Sequence, residues 1–164
     1  MKAKATFSHP DLGNLSFLSF LNLANTGLAG SIPAELGMLH WLKVLHLSLN
    51  GLTCPLPTAI GNLTRLEDLV LSSNSLSGDI PPGPLQNMHS LERFALAKND
   101  LTGHIPPSLF NNTQSIKQIS LMNNSLSGPV PHNLGSLPKL EFLYLGYNNL
   151  SGIVPPTIYN MSRM

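Results

Sequence analysis

The sequence has few of the residues on which electrostatic recognition and covalent cross-linking depend. Only 10% of the 164 residues are charged and the formal net charge is +1, so no strong field would steer the chain to nucleic acid or to an anionic membrane surface. The single cysteine, Cys54, cannot form an internal disulfide. No apolar run approaches the roughly 18 residues of a membrane-spanning helix, and residues 1–10 contain no apolar segment of the kind found in secretory signals.

The motifs of common catalytic centres are also missing. The sequence has no glycine-rich phosphate loop, and the kinase phrases H-R-D, D-F-G and V-A-I-K do not occur. The six histidines do not have the spacing of metal ligands, and the few carboxylates form no obvious acid–base pair. We therefore expect a non-catalytic protein without a metal or another cofactor.

Apolar residues, in contrast, are plentiful and recur with a fixed period. They make up 42% of the chain, which favours an ordered core over disorder. The phrase Leu-x-x-Leu-x-Leu, or a close variant, recurs at spacings of 24, 24, 25, 25 and 24 residues, starting at Leu18, Leu42, Leu66, Leu91, Ile116 and Leu140. Such periodic self-similarity predicts a repeat architecture: a partial repeat or N-terminal edge over residues 1–17, and six repeats over residues 18–164.

Each repeat continues in register beyond its apolar phrase. An asparagine column follows, in which Thr26 replaces the first member, and its other members are Asn50, Asn74, Asn99, Asn124 and Asn148. Since an amide both donates and accepts hydrogen bonds, we expect this ladder to satisfy backbone groups of the turns, less well at Thr26. A glycine column comes next, and Cys54, which interrupts it, is expected to be a small buried residue.

The resulting unit, L-x-x-L-x-L-x-x-N-x-L-x-G-x-I-P-x-x-L-x-x-L, resembles the plant-specific leucine-rich repeat over nearly the whole chain. The resemblance implies an α/β solenoid, a right-handed superhelix with a parallel sheet on its concave face and a mostly irregular or 3-10 convex side. It also implies a second short strand at the Gly-x-Ile-Pro segment. The alternation within Leu-x-Leu independently fits a strand with one buried face.

The residues between the core positions vary from repeat to repeat, whereas the core columns are nearly uniform. In a stack of parallel strands these variable side chains line up on the concave face. Aromatic residues are frequent anchors of binding partners, and three of them gather in the last repeat, where the alternative is that they pack on one another or on a further repeat. The candidate ligand-binding residues are Phe20, His46, Asp68, Arg93, Gln118, Phe142, Tyr144 and Tyr147.

The polar residues of this face have structural alternatives. Asp68 and Arg93 should lie side by side on neighbouring strands, either as an exposed pair worth less than about 1 kcal/mol or as a ligand contact. His46 is the only histidine placed on this face, and an isolated histidine is usually structural. A further column of mostly alternating sign is expected to be solvated edge charge: Lys43, Glu67, Glu92, Lys117 and Glu141.

Four N-x-Ser/Thr sequons share one position of the repeat: Asn14, Asn62, Asn111 and Asn160. We expect this position on the convex side, where glycans would add solubility to a charge-poor protein and leave the concave face open. The alternative is that Gly-Asn-Leu-Ser/Thr is only a repeat consensus.

The resemblance extends to the extracellular domains of plant leucine-rich-repeat receptor-like serine/threonine kinases. It implies a ligand-recognition module for a peptide or protein, with a co-receptor as a further partner and no nucleic acid, at the extracellular face of the plasma membrane or in the cell wall. On this interpretation the chain is a fragment of a receptor whose membrane span and kinase lie elsewhere; a natural short protein is the alternative. Soluble polygalacturonase inhibitors have the same repeat and provide the alternative function.

Overall fold

The computed structural model describes residues 15–159. Most of the predicted N-terminal edge, and with it Asn14, lies outside the described residues, as does Asn160. Between these limits each repeat contributes two short strands and one helical turn. The strands in chain order are β1 (Phe20–Asn22), β2 (Ala29–Gly30), β3 (Val44–His46), β4 (Gly51–Leu52), β5 (Asp68–Val70), β6 (Ser77–Asp79), β7 (Arg93–Ala95), β8 (Asp100–Thr102), β9 (Gln118–Ser120), β10 (Ser127–Pro129), β11 (Phe142–Tyr144) and β12 (Asn149–Ser151).

The odd-numbered strands form one six-stranded parallel sheet in the order β1-β3-β5-β7-β9-β11. Every pairing is in register, so equivalent residues of successive repeats are direct neighbours, as in Asp68 opposite Arg93 and Arg93 opposite Gln118. The sheet lines the concave face of an α/β solenoid, which confirms the fold predicted from the repeat.

The even-numbered strands pair in parallel as β2–β4, β6–β8 and β10–β12 on a lateral face. They lie a little earlier than the Gly-x-Ile-Pro segment that the resemblance indicated, and several end before or at the glycine. The prolines instead adopt extended conformations directly before the helical turns, with φ of -71° at Pro33 and -60° at Pro131. Their fixed φ and missing N–H suit the entrance of a helix.

The convex side consists of helical turns. The helices that lie wholly within residues 15–159 are a final α-helical turn, α1 (Pro156–Tyr159), and the 3-10 helices Ala34–Met38, Thr58–Asn62, Pro84–Asn87, Pro107–Phe110 and His132–Ser136. Among residues 15–159 no helix combines the length and the apolar character that crossing a bilayer would require.

One continuous hydrophobic core runs between the sheet and the helical turns. Leu45 and Leu69 of the inner strands are fully buried, and Phe94 replaces leucine in the same row at 1% exposure. Burial of each such side chain contributes about 1.5–3 kcal/mol. At the two ends of the described stack, Leu21 and Leu143 are only partly buried because each has a packed repeat on one side.

The asparagine ladder joins successive repeats through the backbone of their turns. Asn74 accepts the Leu52 N–H at 3.1 Å through Oδ1, and its Nδ2 donates to the Leu47 and Leu71 carbonyls at 3.0 and 2.9 Å. The Thr26 side chain makes fewer hydrogen bonds than the ladder asparagines, because a hydroxyl has one hydrogen to donate and an amide has two. It donates to the Leu23 carbonyl of its own turn at 2.8 Å.

Cys54 does not occupy the buried environment expected for it. It is exposed and adopts the left-handed conformation, with φ of 70°, in the glycine column where Gly78 and Gly103 have φ of 74° and 70°. The Cys54 carbonyl accepts the Ser77 N–H of the next repeat at 3.2 Å, so its backbone joins successive repeats. Because the side chain is exposed, the expectation of burial was wrong.

Candidate ligand-binding face

The in-register sheet places the variable side chains in two rows. The first row has charged and polar residues at its centre and apolar residues at its ends, and the second row has smaller residues at its centre. Since neighbouring parallel strands are about 4.8 Å apart, side chains of one row form a continuous surface. The rows are Phe20, Val44, Asp68, Arg93, Gln118, Phe142 and Asn22, His46, Val70, Ala95, Ser120, Tyr144.

The centre of the second row is recessed. Ala95 and Ser120 are only 6% and 8% exposed, although they lie on the variable face. On the same two strands, Arg93 of the first row is exposed and Gln118 is half-buried. Sequence position alone could not separate these buried residues from the exposed members of the row.

A shallow hollow of about 200 Å³ lies where the first row meets the edge-charge column. Both columns contribute to it, so residues that the sequence placed in separate sets converge on one feature. The hollow is lined by Asp68, Glu92, Arg93, Lys117, Gln118, Glu141 and Phe142.

Ion pairs cross the face from strand to strand. Arg93 Nη1 lies 3.5 Å from Asp68 Oδ2, as the adjacent positions of the two residues predicted, and His46 Nε2 lies 3.6 Å from the same oxygen. Lys117 Nζ lies 2.7 Å from Glu92 Oε2. This hydrogen bond and the charge of Glu92 raise the pKa of the Lys117 ammonium, with smaller contributions from Glu141 and Asp68. The Lys117 and Glu92 side chains are solvent-exposed, so their pair contributes little to stability, whereas those of Asp68 and His46 are half-buried.

Exposed aromatic rings mark both ends of the face. The Phe142 and Tyr144 rings are stacked, with centroids 6.4 Å apart and planes 7° from parallel. At the other end, the centroids of the Phe20 and His46 rings are 6.5 Å apart. Phe142 and Tyr144 therefore pack on one another, as one alternative held, yet 48% and 44% of their surfaces stay exposed. Tyr147 is 79% exposed.

Tyr147 belongs to a column whose conformation the sequence did not reveal. The residue directly before each ladder position is left-handed in all six repeats, with φ between 55° and 60°: Asn25, Leu49, Ser73, Lys98, Asn123 and Tyr147. Asparagine often adopts this conformation, whereas leucine and tyrosine seldom do. The recurrence of the position was the available signal. In the last repeat the left-handed residue is Tyr147, which follows the end of β11 and is exposed.

Of the four sequon asparagines that share one position of the repeat, the two described ones lie on the opposite side of the molecule. Asn62 ends the 3-10 helix Thr58–Asn62 and Asn111 directly follows the helix Pro107–Phe110; both are exposed. The Asn111 amide oxygen accepts a hydrogen bond from Asn133 Nδ2 at 3.2 Å. The Asn111 amide nitrogen, to which a glycan would be attached, takes no part in that bond.

Groups that could hold a metal ion are not assembled in this part of the chain. Between residues 15 and 159, no three His, Cys, Asp or Glu side chains converge in a way that would ligate a cation. The arrangement on the concave face offers surface contacts, paired charges and aromatic rings, which are means of recognising another molecule.

Comparison with known proteins supports this interpretation of the fold. The sequence profile described as leucine rich repeat matches residues 40–101 and 89–150. The plant peptide hormone receptor RGFR1, solved in complex with RGF2, superimposes with a TM-score of 0.90 at 36% identity over 94% of this chain. The ectodomain of the Arabidopsis thaliana membrane receptor kinase GASSHO1/SCHENGEN3, in complex with CASPARIAN STRIP INTEGRITY FACTOR 2, gives 0.92 at 35% identity over 96% of the chain.

The Arabidopsis receptor kinase HAESA, in complex with the peptide hormone IDA and the co-receptor SERK1, gives a TM-score of 0.90 at 34% identity over 96% of the chain. The matched regions make up 24%, 19% and 26% of RGFR1, GASSHO1/SCHENGEN3 and HAESA respectively. This chain thus spans about a quarter or less of the length of each. No curated protein sequence matches it significantly.

Proposed function

We propose, from the premise that this chain belongs to the leucine-rich repeat family, that its concave face recognises an extended peptide or protein segment without catalysing a reaction on it. The observation that carries the proposal is the in-register array of six strands, which holds variable side chains in rows over a uniform core. Neither row contributes to the core except at its recessed centre. The variation therefore serves contact with another molecule.

The dimensions of the face suit a short extended ligand. Five intervals between six strands span about 24 Å, and an extended peptide rises about 3.4 Å per residue, so about seven residues would cross the sheet. Such a ligand would meet Phe20 and His46 at one end, Asp68, Arg93 and Gln118 at the centre, and Phe142, Tyr144 and Tyr147 at the other end. Aromatic anchors at both ends would fix its position along the solenoid.

The similar proteins support a receptor setting for this recognition. RGFR1 was solved with RGF2, and HAESA with a peptide hormone and a co-receptor. By analogy, the ligand of this chain would be a peptide or protein, and a co-receptor would complete the complex at the extracellular face of the plasma membrane or in the cell wall. Membrane attachment and kinase activity would then belong to a longer parent protein.

N-glycans on Asn62 and Asn111 would complement this arrangement. Both residues are exposed on the convex side, away from the strands that carry the variable rows. Glycans there would keep water around a surface with few charges while leaving the ligand face uncovered.

A peptide selection tests the proposed function. The full chain is immobilised, random heptapeptides are selected on it, and an enriched peptide is titrated against Tyr144→Ala and Trp41→Ala variants. Tyr144 on the concave face and Trp41 before the second repeat are 44% and 49% exposed, so the two truncations remove comparable surfaces. We expect Tyr144→Ala to weaken binding about tenfold, as loss of an aromatic anchor does, and Trp41→Ala to leave it unchanged. Equal losses, or no enriched peptide, would reject the concave face as the binding surface.

A further inference from the structure

The hollow on the concave face has an excess of negative charge. Three carboxylates line it (Asp68, Glu92 and Glu141) against two cations (Arg93 and Lys117), so one negative charge is left over. Arg93 pairs with Asp68 and Lys117 pairs with Glu92. Among residues 15–159 no cation lies within ion-pair distance of Glu141, which makes Glu141 the carboxylate available to another molecule.

The behaviour of Lys117 agrees with this charge balance. The pKa of its ammonium is raised chiefly by the hydrogen bond and charge of Glu92, and the charges of Glu141 and Asp68 act in the same direction. A second cation placed in the hollow would be favoured by the same carboxylates. An anion would have to displace Asp68 or Glu92 from an existing pair.

Aromatic ring faces adjoin the unpaired carboxylate. Phe142 follows Glu141 in the chain and lines the same hollow, and its ring is stacked on that of Tyr144. Aromatic faces carry partial negative charge and attract ammonium and guanidinium groups, and the planar guanidinium of arginine also stacks flat against them. Carboxylate and ring faces thus select for the same type of side chain.

We infer that the ligand presents an arginine or lysine side chain to this end of the face, with its charge beside Glu141 and its stem against the Phe142 and Tyr144 rings. This inference rests on the proposed function and specifies the chemistry of the ligand. It places the cationic residue of the ligand toward the β11 end of the sheet, because Phe142 begins β11 and Glu141 directly precedes it.

The same heptapeptide selection separates this inference from the proposed function. For this purpose, the amino-acid composition of the enriched peptides is compared between variants of the protein. Peptides enriched on the unmodified full chain should contain arginine or lysine more often than the starting library. Peptides enriched on the Glu141→Gln variant should not. Glu35→Gln is the matched control, since Glu35 is exposed on the 3-10 helix Ala34–Met38 on the convex side.

A selected peptide should bind Glu141→Gln about two- to fivefold more weakly than the unmodified chain, the range expected for loss of an exposed ion pair while the contact with the rings remains. Replacing the basic residue of the peptide with glutamine should produce an equal or larger loss, because the contact with the rings is lost as well, and should remove the effect of the protein substitution. Circular dichroism checks that the variants are folded.

Peptides that bind the concave face without a basic residue, or equally well to Glu141→Gln, would overturn the inference and leave the proposed function intact. The absence of any enriched peptide would overturn both.

Discussion

Asn99 Oδ1 accepts the backbone N–H of Leu76 at 3.0 Å, which joins one turn of the solenoid to the turn before it. The amide nitrogen of the same side chain donates to the Leu71 and Leu96 carbonyls at 3.2 and 3.0 Å. Asn99 is 8% exposed, so these backbone groups have little access to water. The ladder therefore couples neighbouring repeats through groups that a smaller side chain would leave unsatisfied.

Substituting Asn99→Ala should lower the free energy of unfolding by about 2–4 kcal/mol, because a buried donor and two carbonyls lose their partners. Asn99→Thr should lose less, since the Thr26 hydroxyl shows that threonine can still donate to the carbonyl of its own turn. Urea unfolding measures both. The exposed Asn112, whose amide makes one long bond of 3.4 Å, provides an Asn112→Ala control that should change stability by less than about 0.5 kcal/mol. Equal losses at Asn99 and Asn112 would contradict the role of the ladder.

Cys54→Gly should stabilise the protein. The residue has φ of 70°, a conformation that costs a residue with a Cβ about 1–2 kcal/mol, while glycine carries an entropic penalty of about 0.5–1 kcal/mol. A net gain of about 0.5–1 kcal/mol is expected, measured as a shift of the denaturation midpoint.

Cys54→Ala distinguishes the backbone effect from the loss of the thiol. Alanine keeps the Cβ and therefore the strain, so its stability should stay within about 0.5 kcal/mol of the unmodified chain. If alanine stabilised as much as glycine, the left-handed backbone would not be the cause.

The contrast between the asparagine ladder and the residues directly before it shows what the sequence could predict. Spacings of 24 and 25 residues located the strands and the ladder because the core and the turn bonds demand the same residue at each recurrence. The residues before the ladder vary in type because only their backbone is constrained, as the left-handed Leu49 and Tyr147 illustrate. The recess at Ala95 and Ser120, and the convergence of Glu141 with Phe142, depend on how neighbouring side chains pack, which a single column does not record.

The Lys117–Glu92 pair should make the free energy of unfolding depend on pH in the alkaline range. The pKa of Lys117 is raised above its ordinary value of 10.5. The stabilisation is therefore fully present below that value and is lost as the pH rises through the higher pKa of the folded state. The stability difference between the unmodified chain and Lys117→Met, followed from about pH 8 to about pH 11.5, should decline toward the upper limit.

Lys139→Met serves as the control for that series, because Lys139 is exposed and makes no ion pair with any residue in the described range. Its stability difference should be nearly independent of pH. A Lys117→Met difference that persisted unchanged at the alkaline end would contradict the linkage.

Asn62 should carry an N-glycan when the chain is directed through a eukaryotic secretory pathway by an added signal peptide. Mass spectrometry before and after treatment with peptide N-glycosidase detects the glycan, and Asn62→Gln should remove it without changing peptide affinity, because Asn62 lies on the convex side. Asn112→Gln is the control. It changes only the middle residue of the Asn111 sequon, so it should not alter the fraction of chains that carry a glycan. A glycan whose removal abolished peptide binding would be inconsistent with an uncovered concave face.

The location of a bound peptide decides whether the concave face is the ligand-binding surface. A selected heptapeptide carrying a photoreactive diazirine at successive positions is cross-linked to the full chain, and the attachment sites are mapped by mass spectrometry. We expect attachment in the concave rows, progressing from Phe20 and His46 toward Tyr144 as the diazirine moves along the peptide. Attachment concentrated on the helical turns of the convex side, such as Thr58–Asn62 or Pro107–Phe110, would contradict it.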